Sequence, residues 1–189
     1  MVMKLMALVA VMLMAARGQA QTEEPKLIHR DKQPYMGIRT SVTLQGMATV
    51  MPKLMPELYG WLDAHHVKPT GPEFIRFIVI DMDKVLDIEV GIPVAKAVAG
   101  DSRVKPGVLP EGRYASLTHF GNYSGLIAPN AQIQEWGKTK GLKWKMRKTK
   151  NGDEWVGRIE FYKTDPRKEP DPSKWETEIL YMVADGKGR

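Results

Sequence analysis

Beyond residue 20, the apolar residues fall in short runs separated by glycine- and proline-rich stretches, with two segments of helical periodicity among them. Alternation with a period of two marks half-buried strands, and short uninterrupted apolar runs mark strands buried on both faces. Strands are therefore expected at residues 36–42, 74–80, 85–94, 112–118, 142–147, 154–162 and 177–183. Helices are expected at 45–64 and 131–140, with Pro52 and Pro56 kinking or breaking the first and Gly141 capping the second. Asn151-Gly152 reads as a hairpin turn between the sixth strand and the strand before it. Residues 99–112, with Gly100, Pro106, Gly107, Pro110 and Gly112, read as a linker, and 164–173 as a surface loop.

The same order of elements occurs twice. Tyr35, Trp61 and Glu89 find counterparts in Tyr114, Trp136 and Glu178, at offsets of 79, 75 and 89 residues. This predicts an α+β fold of duplicated β-α-β-β units, one over about residues 27–98 and one over 112–185, within a domain spanning 25–185. Two such units would be related by an approximate two-fold axis, and a carboxylate near that axis, between the halves, is where a ligand site is expected.

Residues 1–20 stand apart. Lys4, the apolar run 5–16 and the small residues Gly18-Gln19-Ala20 have the three-part layout of a secretory signal peptide, and twelve apolar residues are too few to span a bilayer core of about 30 Å. The expected product is periplasmic or secreted, without a stable membrane anchor. Its 169 residues suit one domain, a monomer, and without cysteine its core must hold without disulfides. Losing Lys4 and Arg17 lowers the net charge from +6 to +4, which is no argument for nucleic acid as a partner. The basic cluster from Lys138 to Lys150 interleaves with Leu142, Trp144 and Met146, the pattern of a strand with a solvated basic face. Asp63, His65 and His66 lack a third ligand and read as a helix end, so no metal site and no cofactor is expected.

Gly112-Arg113-Tyr114 leading to His119-Phe120-Gly121-Asn122-Tyr123, the strand Val90-Gly91-Ile92-Pro93-Val94, and Trp175-Glu176-Thr177-Glu178-Ile179 resemble the GyrI-like small-molecule-binding domain, the effector-binding domain of AraC-type and MerR-type multidrug regulators. The resemblance covers roughly residues 25–183. It implies a curved antiparallel sheet whose groove binds hydrophobic, often cationic molecules, with an acidic residue of the final strand, here Glu178, meeting the charge. No helix-turn-helix segment is evident, so the chain resembles the stand-alone members.

In such a groove one carboxylate favours lipophilic cations, and aromatic walls add cation–π attraction of about 0.5 to 2 kcal/mol per ring. The candidate ligand-binding residues are Glu178, Glu89, Tyr35, Tyr114, Tyr123, Trp136 and Tyr162, with Tyr181 a further aromatic. A rival function is a hydrolase of reactive, cyclopropane-containing compounds, as the resemblance implies for some stand-alone members. Glu178, Glu160 and Tyr162 would then be the catalytic candidates. Haem or tetrapyrrole binding, as in the SOUL haem-binding proteins of similar duplicated architecture, is a third. If the leader is cleaved, mass spectrometry of exported protein will find Gln21 at the N-terminus. Recovery only in membranes with residues 1–20 intact contradicts it.

Overall fold

The computed structural model describes residues 21–185. The leader read at 1–20 lies outside the described residues. The chain forms β1 (Gln21–Thr22), β2 (Lys26–Arg30), β3 (Gln33–Val42), α1 (Met47–Ala64), β4 (Phe74–Ile80), β5 (Leu86–Pro93), β6 (Lys105–Leu109), β7 (Gly112–Phe120), α2 (Ile127–Thr139), β8 (Met146–Thr149), β9 (Gly152–Tyr162) and β10 (Glu176–Met182). One sheet runs β1-β7-β10-β9-β4-β5-β3-β6, with β2 also on β7 and β8 also on β9, all antiparallel. Its central six strands read β7-β10-β9 and then β4-β5-β3, so β3-α1-β4-β5 and β7-α2-β9-β10 are topologically equivalent β-α-β-β units. They meet where β4 pairs with β9, Ile75 opposite Glu160 and Phe77 opposite Arg158.

Both helices pack on one face, α1 on β3 and β5, α2 on β7 and β10. Leu54, Leu58 and Leu62 of α1 recur at intervals of four and are buried in the same cluster as Ile38, Ile88 and Val90. Burying such a leucine contributes about 1.5–3 kcal/mol. The opposite face carries a smaller core of Tyr35, Phe74, Leu109, Tyr114, Ile159, Phe161, Leu180 and Met182. Glycines make room there: a Cβ on Gly107 would stand 2.2 Å from the Tyr35 ring, and one on Gly91 2.2 Å from Phe74.

Several elements depart from the sequence reading. The first helix is continuous through Pro52 and Pro56. Both prolines are exposed, as is Ala48, so the carbonyls left without a donor, on Ala48 and Pro52, lie on the watered side. The second helix starts at Ile127, and Pro129 sits in its first turn, where no hydrogen bond is lost. Gly141, at φ +66°, ends it in a Schellman turn: Leu142 N donates to Gly137 O at 2.9 Å and Gly141 N to Lys138 O at 3.0 Å. The 99–112 linker contains β6, whose Pro106 is tolerated because β6 is an edge strand. The basic strand is short, and Arg147 and Lys148 pair with Glu154 and Asp153 across the hairpin at 2.8 and 3.4 Å.

Because β4 finishes its hydrogen bonding on β9, a chain ending near Asp101 will leave β4 as an unpaired edge with Phe74 uncovered. It should aggregate or lack a cooperative melt; a stable, two-state half-domain contradicts the shared core.

Candidate ligand-binding site

Strand alternation on β9 turns Arg158, Glu160 and Tyr162 toward the helices and Ile159 and Phe161 to the other face. Glu160 is buried at the centre of the sheet, between Ile75 of β4 and Ile179 of β10. Its Oε1 accepts from Asn130 Nδ2 at 2.7 Å and its Oε2 from the Tyr162 hydroxyl at 3.0 Å. Both oxygens are thus engaged by neutral partners. Asn130 is held in turn by Leu126 O at 2.8 Å, while its Oδ1 accepts from the Tyr181 hydroxyl at 2.8 Å and Arg158 Nη2 at 3.4 Å. Among the described residues no cation makes an ion pair with Glu160. Arg158 instead faces the rings of Phe77, Trp155 and Tyr181, at 5.3, 5.4 and 5.0 Å. Burial pushes the Glu160 carboxyl above the ordinary carboxylate range, against the opposing pull of Asn130, Arg158 and Tyr162. Burial first, then the charge of Glu160, raises the Tyr162 hydroxyl well above its usual value.

Around this carboxylate the rings gather from both halves. Tyr123, in the turn before α2, lies 4.9 Å from Tyr162 and 4.5 Å from Trp175, and its hydroxyl donates to Thr164 O at 2.9 Å. From α1, Tyr59 stands beside Glu73 and under the Arg167 guanidinium, 5.9 Å from its ring. The charge of Glu73 acts on Tyr59, Tyr123 and Tyr162 alike, and burial pushes the Glu73 carboxyl itself upward. The seam between α1 and α2, over β4 and β9, therefore sets carboxylates and tyrosines beside the aliphatic side chains of the helix-side core. Surface depressions of about 310 and 280 Å³ lie elsewhere, near Asp81 to Asp87 and near Trp144 to Arg147, and neither borders Glu160.

The residues singled out from the sequence divide between two faces. Glu160, Tyr162 and Tyr123 come together in the seam, with Tyr181 behind Asn130, and Trp136 is half-buried on α2 against the helix-side core. Glu178, Glu89, Tyr35 and Tyr114 lie on the opposite face, apart from that cluster. There both carboxylates are already engaged: Glu178 accepts from Arg30 Nη1 at 3.0 Å and Ser116 Oγ at 3.1 Å. Glu89 accepts from the Tyr35 hydroxyl and pairs with Arg76 at 3.8 Å. Tyr114 donates to Pro110 O at 2.7 Å. Asn130, Tyr59 and Glu73 went unrecognised in the sequence. Asn130 carried a signal, a polar residue in the buried row Leu126, Asn130, Ile133, Gly137.

A family model described as GyrI-like small molecule binding domain matches residues 23–184. No curated protein matches the chain. Among solved structures, the C-terminal domain of EcmrR aligns with a TM-score of 0.68 at 17% identity, over 88% of this chain and 99% of that one. The chain spans 58% of the EcmrR chain seen in its complex with DNA, at a TM-score of 0.67 and 17% identity. SAV2435 bound to tetraphenylphosphonium aligns at 0.56 and 14% identity, over 86% and 94% of the two chains. A hydrolase from Listeria innocua aligns at 0.59 and 18%, over 85% and 92%. At these identities the likeness establishes the fold, a curled antiparallel half-barrel with two helices.

A carboxyl whose pKa rises on folding favours the folded state at pH below its unfolded value, and that advantage is lost as pH climbs through the folded value. Glu160→Gln should therefore melt with the wild type near pH 4, about the ordinary glutamate pKa, and above it at pH 8. Thermal melts across that range check this; a variant less stable at pH 8 contradicts it.

Proposed function

The chain belongs to the GyrI-like small molecule binding domain family, and from that premise we propose that it binds a lipophilic organic cation in the seam between α1 and α2, with Glu160 as counter-charge. The observation that carries this reading is a buried carboxylate, at the junction of the two halves, with which no side chain among the described residues makes an ion pair. An uncompensated charge in a low-dielectric interior is costly, and a ligand that brings the opposite charge recovers the cost. Tyr123, Tyr162 and Trp175 supply ring faces for a cation, and a bulky lipophilic cation sheds its water easily. Glu178, the choice the family resemblance suggested, already has Arg30 as its partner, which disfavours it as the ligand's counter-charge. Because Glu160 is buried, entry requires the turn bearing Tyr123, or α2, to move aside. With the leader read at 1–20, this binding would take place outside the cytoplasm, and a single copy suffices for the seam.

A second reading, hydrolysis of a reactive small molecule, draws on the same pair. A carboxyl raised by burial and hydrogen-bonded to a tyrosine suits general acid–base chemistry near neutral pH.

Tetraphenylphosphonium is the probe, because a structural relative carries it. At 100 times its dissociation constant it should add about 2.7 kcal/mol to stability. Glu160→Gln should weaken its binding by about 10- to 100-fold, or about 1.4–2.8 kcal/mol, as titration calorimetry would read. Glu178→Gln should leave it within about twofold, because its charge is spent on Arg30. The reverse ranking moves the site to the other face. Turnover of an electrophilic substrate that Glu160→Gln binds without converting would establish the hydrolase.

A further inference from the structure

Next to Glu160 on the helix-bearing face runs a transverse row that the binding mode above leaves unused. Tyr162 of β9 pairs with Thr177 of β10, and Thr177 with His119 of β7, so the three side chains stand side by side. His119 and Thr177 are fully buried. His119 Nε2 approaches the Asn122 carbonyl at 3.3 Å and so donates its proton there, leaving a bare lone pair on Nδ1. Among the described residues Nδ1 has no partner, and neither has Thr177 Oγ1. Native proteins leave few buried polar groups unpaired, and two adjacent ones in one row mark a place for a polar group from outside the chain. The turn over His119 is the one that carries Tyr123: a Cβ on Gly125 would lie 3.6 Å from the imidazole. The row is thus continuous with the ring cluster around Glu160.

We propose that the ligand site extends along Tyr162, Thr177 and His119, and that it selects a lipophilic cation bearing a separate hydroxyl or N–H group, which donates to His119 Nδ1 with Thr177 Oγ1 beside it. The proposal rests on the assignment of Glu160 as counter-charge and deepens it. Glu160 and His119 are two strands and one row apart, about 12 Å between Cα positions by strand spacing and rise, the reach of a molecule with two or more rings. His119 and Thr177 are here specificity-determining residues. Charge is met at one end of the ligand and a neutral donor at the other, so a simple quaternary cation satisfies only half the site.

The test compares two probes on the full chain at pH 7.5, [4-(hydroxymethyl)phenyl]triphenylphosphonium and [4-ethylphenyl]triphenylphosphonium, equal in charge and close in size. The hydroxylated probe should bind the wild type at least about fivefold more tightly, the scale of one buried hydrogen bond. His119→Phe and Thr177→Val should reduce that preference to within about twofold. Should either variant fail to fold, the wild type still decides: the ¹⁵N resonance of His119 Nδ1 should shift on adding the hydroxylated probe and stay put with the ethyl one. Equal binding of the two probes, or an unmoved Nδ1 resonance, overturns the proposal and leaves the Glu160 assignment standing. Failure of both probes to bind overturns the Glu160 assignment and this extension with it.

Discussion

The pairing of β4 with β9 is the constraint on which the rest depends. It joins two β-α-β-β units into one sheet and so sets α1 and α2 side by side on the same face with the sheet's central strands between them. Whatever β9 turns toward the helices becomes the floor of the seam. A helix on its own half can seat itself on aliphatic side chains, as α1 does with Leu54, Leu58 and Leu62. The second half departs from that economy. Its helix offers Asn130, Ile133 and Gly137 to the sheet, and beside Leu117 and Ile179 the sheet answers with Glu160, Tyr162, Thr177 and His119.

That polar seat is an unlikely way to build a stable core. Burying a carboxylate without an ion pair costs free energy that two neutral donors recover only in part. Elsewhere the protein handles half-buried charge by pairing, with Arg30 on Glu178 and Arg76 beside Glu89. Asn130 is the piece that makes the exception tolerable, since its amide donates to Glu160 while its carbonyl collects Tyr181 and Arg158. Arg158 sits among rings, at the distance a cation–π contact requires, and not against the carboxylate. A ligand that binds the folded state at such a place adds to its stability.

Much of the fold was legible because periodicity and turn chemistry act locally. The strands at 74–80 and 154–162 and the glycine cap at 141 follow from patterns within a few residues. β2 and β6 were missed since an edge strand such as β6 can carry a proline and a glycine, and its identity comes from its neighbour β3. The site was legible only as phase. Alternation places Glu160 and Tyr162 of β9 apart from Ile159 and Phe161, and Glu178 of β10 with Leu180 and Met182. Which phase meets the helices is a property of the assembled sheet, and so is the presence of Arg30 against Glu178, 148 residues away in the chain. A polar residue in the apolar phase, Thr177 before Ile179 and Tyr181, or Asn130 in the buried row of α2, was the available clue.

The position of the phosphorus atom in a crystal of the protein grown with tetraphenylphosphonium bears most directly on the assignment of the seam. The cation should lie between α1 and α2, against Tyr123 and Tyr162, within about 5–6 Å of the Glu160 carboxylate, as ion pairing and cation–π contact require. A cation found on the opposite face, beside Glu178 with Arg30 displaced, would contradict it.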